Sequence, residues 1–192
     1  MGVPVAVAPQ PVARWIADAV VAGGASLAEP TEAEGLVWVK PTGVDELKAI
    51  LEPNPQIRWV QLPWAGVEEF AAAGVFGDGR VWTCGKGVYA EPVAEHALAL
   101  GLAGLRHLPA RSLATGWGEQ SGLSLIDGRV TILGAGGITE SFVSLLEPFR
   151  CDVTVVRRDA TTPFHGAART VGLGDLATAL PGADLVVLAL AL

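Results

Sequence analysis

Arg129-Val-Thr-Ile-Leu-Gly134-Ala-Gly136-Gly-Ile-Thr139 decides the fold. A β-branched apolar run breaks into a glycine turn and then into an apolar-periodic helix that reaches Phe149. A second apolar run, Val153-Thr-Val-Val156, ends in Arg157-Arg158-Asp159, and Arg157 stands 21 positions beyond Gly136. Strand, glycine turn, helix, strand and polar tip, in that order, make a Rossmann unit, which holds a dinucleotide. Gly134 permits the tight turn and Gly136 lets the backbone approach a pyrophosphate. Gly137 and Ile138 open the helix, whose first amides face the negative charge.

Two residues depart from the G-x-G-x-x-G pattern. The third glycine position holds Thr139, whose branched side chain is expected to push the helix off the strand or to force local repacking. The tip of the second strand holds Arg157 where NAD-binding units place an acid for the ribose hydroxyls. An acid there repels a 2′-phosphate, whereas paired guanidinium groups can clamp one. Arg157 and Arg158 therefore favour NADP(H), with NAD(H) as the alternative; the plainer reading is two solvated charges at a strand end.

A chain of 192 residues has room for one large or two small domains. With 51% hydrophobic and only 17% charged residues it is rich in core and not disordered. The net charge of −7 speaks against a general binder of nucleic acid or of membrane surfaces. Cys84 and Cys151 lack metal-ligand spacing and read as reduced thiols of a cytoplasmic protein, with no metal site expected. The N-terminal run Val3–Ala8 lacks the basic flank of a secretion signal. The apolar tail Leu185–Leu192 is 8 residues long, far below the roughly 20 that span a bilayer, and reads as a buried parallel strand.

Strand and helix signals alternate through the first half. Strands are expected at Val3–Ala8, Leu36–Val39, Ile57–Leu62 and Arg80–Thr83, and helices at Pro11–Ala22, Val44–Leu51 and Val67–Ala73. Alternation of this kind implies a parallel sheet. A long helix follows from Pro92 to His107, apolar around most of its circumference and so expected to be buried or at an interface. Pro109–Leu125 is a connector carrying Trp117; beyond the glycine turn come a loop at Arg158–His165, a weak helix at Leu173–Leu180 and a third strand at Asp184–Leu190. The fold class is thus α/β, with two Rossmann/flavodoxin-like parallel-sheet domains at 1–88 and 89–192, the second incomplete.

Four segments together resemble the D-isomer-specific 2-hydroxyacid dehydrogenase family, and its glyoxylate/hydroxypyruvate reductase branch in particular. They are Leu36-Val-Trp-Val-Lys-Pro41, Val60-Gln-Leu-Pro-Trp-Ala-Gly-Val67, Val88-Tyr-Ala-Glu-Pro-Val-Ala-Glu-His-Ala97 and Leu125-Ile-Asp-Gly-Arg-Val-Thr-Ile-Leu-Gly-Ala-Gly136. The resemblance implies two α/β domains, the first for substrate and the second for NAD(P), with the active site between them. It implies hydride transfer between a nicotinamide and C2 of a small 2-keto or D-2-hydroxy acid, usually in a homodimer. By the same resemblance the amides at Ala65 and Gly66 hold the substrate carboxylate, Trp38 lines its pocket, and Gly137 and Ile138 contact the pyrophosphate. Arg157 and Arg158 meet the adenosine ribose or its phosphate, and Leu190 and Ala191 run along the cofactor. The family's catalytic arginine, histidine and acid follow the third nucleotide-domain strand. They are therefore expected past Leu192, the catalytic residues stay unassigned, and the 192 residues alone are expected not to turn over. The alternative is a non-catalytic dinucleotide-binding or dimerisation module.

Several residues have plainer readings. His96 beside Glu95 points about 100° away from it on a helix and reads as a packed or capping histidine. His107 suits a helix C-terminus, His165 stands isolated in a loop, and Lys86 either approaches a substrate carboxylate or a phosphate or, on the plainer reading, is a solvated linker residue. Trp64 walls a pocket or packs under its turn, Cys84 is inert, and Trp117 anchors a partner subunit or packs between domains.

Overall fold

The computed structural model describes residues 2–190, so the reading of Ala191 lies outside the described residues. The chain divides into two compact units, one up to Lys86 and one from Gly87 on. The first is built on strands β1 (Pro4–Ala8), β2 (Ser26–Leu27), β3 (Gly35–Trp38), β4 (Trp59–Gln61) and β5 (Val81–Thr83), with helices α1 (Arg14–Ala22), α2 (Val44–Leu51) and α3 (Glu68–Ala72). All strand pairs are parallel, in the order β2-β1-β3-β4-β5. The chain leaves β1 in one direction and β3 in the other. Right-handed crossovers then place α1 on one face of the sheet and α2 with α3 on the other.

The core lies on the α2/α3 face. Leu36, Trp38 and Val60 are fully buried there against Leu47 and Phe70. Period-2 alternation puts Val37, Trp59, Gln61, Val81 and Thr83 on the opposite face, where they are half-buried or exposed. Helix α1 contributes no buried residue, and its Trp15 is exposed.

The second unit holds α4 (Ala90–Leu105), α5 (Leu108–Arg111), β6 (Arg129–Leu133), α6 (Gly137–Leu146), β7 (Asp152–Val156), β8 (Arg169–Val171), α7 (Leu176–Ala179) and β9 (Leu185–Leu188). Its parallel sheet runs β8-β7-β6-β9. This corrects one expectation. The strand read at Asp184–Leu190 is not the third of its half: the third is the three-residue β8, and β9 pairs with the other edge of β6. The order is therefore that of a doubly wound dinucleotide fold (3-2-1-4), with the topological switch between β6 and β9.

The long helix is also corrected. Of α4's residues only Ala94 is fully buried, Val93 and Leu100 are exposed, and α4 covers its own sheet with Ala94, Leu98 and Leu102. Trp117, expected to pack against protein in one reading, is fully exposed, as is most of the connector. His96 is exposed and not packed.

Candidate functional site

The turn after β6 is shaped by what its glycines leave out. Gly134 has φ +112°, a left-handed conformation, and a Cβ on it would lie 2.2 Å from the Ala189 carbonyl oxygen. The backbone leaving β9 therefore passes directly against Gly134, and Leu190, itself exposed, follows. This is the crevice at the switch point, where open α/β sheets bind ligands. Gly136 is extended (φ −98°, ψ −174°), and a Cβ there would meet nothing within 4 Å. Space thus stands open over the first turn of α6. Gly136 caps that helix without a side-chain bond, so among the described residues no side chain caps the amides of the first turn. Ile138 packs its side chain toward the core, and a Cβ added to Gly137 would lie 3.5 Å from Ala90 Cβ.

Thr139 overturns the expectation placed on it. It is fully buried, and its hydroxyl donates to the Gly134 carbonyl at 3.1 Å. The side chain does not wedge helix from strand. It closes the turn by satisfying a carbonyl that would otherwise be left in the interior.

Arg157 follows β7 directly, its amide bonded to Val171 O at 3.0 Å, and Arg158 beyond it is exposed. Neither guanidinium enters a salt bridge among the described residues. Asp159 accepts hydrogen bonds from the Thr161 hydroxyl and amide, and these, with the nearby Arg157 cation, hold its carboxyl below its ordinary value. Arg157 lines a groove of about 440 Å³ together with Ala135, Glu140, Ser144 and His165. Sequence reasoning missed His165 here: its glycine-flanked loop carries no periodic signal, and only the crossover from β7 to β8 brings it round.

In the first unit, β4 runs through Leu62 into the exposed turn Pro63–Gly66. The amides of Trp64, Ala65 and Gly66 make no hydrogen bond among the described residues, so three successive donors are free. Consecutive free amides of this kind can receive an anion. The carboxylate of Glu68 stands beside Gly66, where a Cβ would come within 3.0 Å of its Oε2. Trp64 is more than half exposed and does not pack under the turn. Trp38, expected to line a pocket, is instead fully buried in the core, its indole N–H donating to Thr42 O at 3.2 Å; alternation along β3 turns it toward α2 and α3.

Cys84 and Cys151 are free, half-buried thiols, and burial pushes that of Cys151 up. Among the described residues no group of three or more His, Cys, Asp or Glu side chains could hold a metal, and no helix is long and apolar enough to cross a membrane.

Solved structures superpose on this chain over nearly its whole length. A D-isomer-specific 2-hydroxyacid dehydrogenase family protein from Aeromonas salmonicida superposes with a TM-score of 0.76 at 19% identity, over all of this chain and 65% of that one. The fold is that of the D-isomer-specific 2-hydroxyacid dehydrogenases. A second dehydrogenase of this fold, from Xanthobacter autotrophicus and crystallised with NADPH and MES, gives 0.73 at 20% identity over 100% of this chain and 64% of its own. A D-2-hydroxyisocaproate dehydrogenase gives 0.73 at 17%, over 97% of this chain and 62% of its own. An uncharacterized protein encoded in the proB 3′ region of Corynebacterium melassecola is 32% identical over 142 residues, which is 71% of this chain and 46% of that protein. No family model matches the chain. The chain thus spans about half of the curated relative and just under two thirds of these dehydrogenase structures.

Proposed function

We propose that this chain carries the dinucleotide site and the substrate-carboxylate anchor of an NAD(P)-dependent oxidoreductase that interconverts a small 2-keto acid and its D-2-hydroxy acid. The observation that carries the reading is the turn at Gly134–Thr139. It has uncapped amides, open space over Gly136 and a position at the switch between β6 and β9. A pyrophosphate fits each of these features. Gly134, Gly136, Gly137 and Ile138 would hold it by backbone alone, and Leu190 would run beside the rest of the cofactor. The nicotinamide supplies or accepts the hydride when bound.

The unpaired guanidinium groups of Arg157 and Arg158 support NADP(H) over NAD(H), with NADPH present in one neighbour of the same fold. In the first unit, Trp64, Ala65 and Gly66 would hold the substrate carboxylate through their free amides. Proton transfer and orientation of the keto group depend on residues outside these 192, so the chain alone binds and does not turn over. Exposed Val93, Leu100, Leu113 and Trp117 support assembly into a homodimer, and two unpaired cysteines support a cytoplasmic setting.

The test is calorimetric titration of the chain with NADPH and NADH. Arg157→Asp is expected to lower the NADPH/NADH affinity ratio by at least about tenfold, the scale of a lost charge-assisted clamp. An unchanged ratio removes Arg157 from the 2′-phosphate, and binding of neither nucleotide by the wild-type chain removes the dinucleotide site.

A further inference from the structure

The substrate-anchor loop is preceded by a set of hydrogen bonds that the core does not need. On the sheet face away from α2 and α3, the indole of Trp59 lies over Gly35, where an added Cβ would come within 2.7 Å of its ring. Its Nε1–H reaches across to Thr83 Oγ1 at 2.9 Å. The Thr83 hydroxyl lies 2.7 Å from Gln61 Oε1, and Gln61 Nε2 lies 2.6 Å from Leu62 O.

The direction of every bond is forced. The Leu62 carbonyl can only accept, so the Gln61 amide must turn its nitrogen toward it and its oxygen toward Thr83. That oxygen can only accept, so the Thr83 hydroxyl donates to it at 2.7 Å, with the Val60 carbonyl a longer second acceptor at 3.4 Å. Thr83 Oγ1 is left to accept from the indole, which can only donate. Each group is fixed by the next, and a one-way series of this kind polarises its members together.

The series ends where the loop begins. The carbonyl of Leu62 is committed to Gln61 and its N–H to Thr83 O at 2.8 Å. Pro63 follows and has no N–H to donate, so these two bonds hold the last peptide before the loop. On the far side, Gly85 N–H donates to Trp64 O at 3.2 Å, and a Cβ on Gly85 would come within 2.5 Å of Pro63 O. With both flanks held, the amides of Trp64, Ala65 and Gly66 are the loop's uncommitted donors. The side chains of the relay are half-buried or exposed, so water could satisfy them singly; what water cannot do is fix the Leu62 peptide.

We propose that Trp59, Thr83 and Gln61 are positioning residues, whose relay fixes the Leu62 peptide and thereby aims the free amides of Trp64, Ala65 and Gly66 at a carboxylate. The proposal rests on reading that loop as the substrate anchor.

The experiment is titration of the isotope-labelled 192-residue chain with oxamate, a small carboxylate, following the backbone amides of Ala65 and Gly66 by NMR. Wild type is expected to show saturable shifts at these amides at millimolar ligand. Thr83→Val keeps the shape and removes the hydroxyl, and is expected to weaken oxamate about fivefold, the scale of one hydrogen bond. Thr83→Ser restores the hydroxyl and should stay within about twofold of wild type, with NADPH binding unchanged in both. Trp59→Phe reads the same relay from its other end should Thr83→Val fail to fold. No shift in wild type overturns the anchor reading itself. Shifts in wild type with equal affinity in Thr83→Val overturn the relay alone. Equal weakening in the valine and serine variants assigns the effect to packing and also overturns it.

Discussion

Gly134 and Gly136 share one turn and are predicted to answer a single methyl group in opposite ways. At Gly136 the backbone is extended and a new Cβ meets nothing within 4 Å, so Gly136→Ala has no steric cost in the folded chain. Restricting the unfolded chain gains about 0.4–1 kcal/mol, and replacing glycine by alanine at a helix N-cap loses a similar amount, on the order of 1 kcal/mol. The net is within about 0.5 kcal/mol, or roughly 2 °C in melting temperature for a chain of this length. On the proposed function the same methyl would fill the space through which a pyrophosphate would reach the amides, so NADPH affinity is expected to fall more than about tenfold.

At Gly134 the order reverses. Left-handed φ costs an alanine about 1–2 kcal/mol, and the methyl would lie 2.2 Å from Ala189 O and 2.7 Å from its carbonyl carbon. Both are backbone, so the segment leaving β9 must move. Together these put Gly134→Ala at about 3 kcal/mol or more, or a melting temperature lower by about 6–12 °C. Thermal unfolding by circular dichroism and calorimetric titration with NADPH measure both quantities on the same samples. Wild-type NADPH affinity in Gly136→Ala would refute the pyrophosphate assignment, and wild-type stability in Gly134→Ala would refute the close approach of β9.

Three further outcomes follow from the structure. Thr139→Val keeps the side chain's shape but strands the Gly134 carbonyl, and is expected to cost about 1–3 kcal/mol in urea unfolding, with Thr139→Ser close to wild type; equal stability of all three would remove the hydrogen bond from the account. The Asp78 carboxyl is pushed up by burial, but hydrogen bonds from Trp82 and Arg80 outweigh this and hold it below its ordinary value of 3.8. A depressed carboxyl stabilises the fold above the unfolded value and loses that contribution as pH falls through the folded one. The melting-temperature advantage of wild type over Asp78→Asn should therefore be constant near neutral pH and shrink below about pH 4; an advantage that persists in acid contradicts it. If the chain forms the proposed homodimer, Leu100→Glu, which puts a charge on the exposed face of α4, is expected to shift it to monomer in sedimentation equilibrium, whereas a wild-type monomer denies that interface.

Both parallel sheets were legible in the sequence because their longer strands carry β-branched runs bounded by turns. Residues 26–27 and 169–171 were not, for a physical reason. Strands of two and three residues are too short to show period-2 alternation, and they exist because β1 and β7 each offer a free edge. Composition likewise says that α4 is apolar without saying what it meets: Ala94 found its own sheet, while Leu100 did not. Trp38 shows the limit within a single strand. Its run reads as β, but which face turns inward depends on where the crossovers place α2 and α3, and they cover Trp38.

The candidate sites divide along the same line, by whether recognition runs through backbone or through side chains. A turn that must pass within contact of another backbone admits only glycine, so Gly134 marks its site in the sequence itself, while Gly136 keeps the space over α6 open by carrying no side chain. Side chains act where the fold carries them, and spacing does not reveal that. His165 reaches the groove of Arg157 from eight positions further along the chain, and Thr83 meets Gln61 across 22 positions of chain. Thr139 belongs to both kinds. Judged as a glycine position it is an obstruction; judged by its hydroxyl, which needs the Gly134 carbonyl to have meaning, it is the residue that closes the turn. A fingerprint records which Cβ atoms are forbidden and is silent on which polar atoms can take their place, so a departure from it calls for a partner search before it is counted against the site.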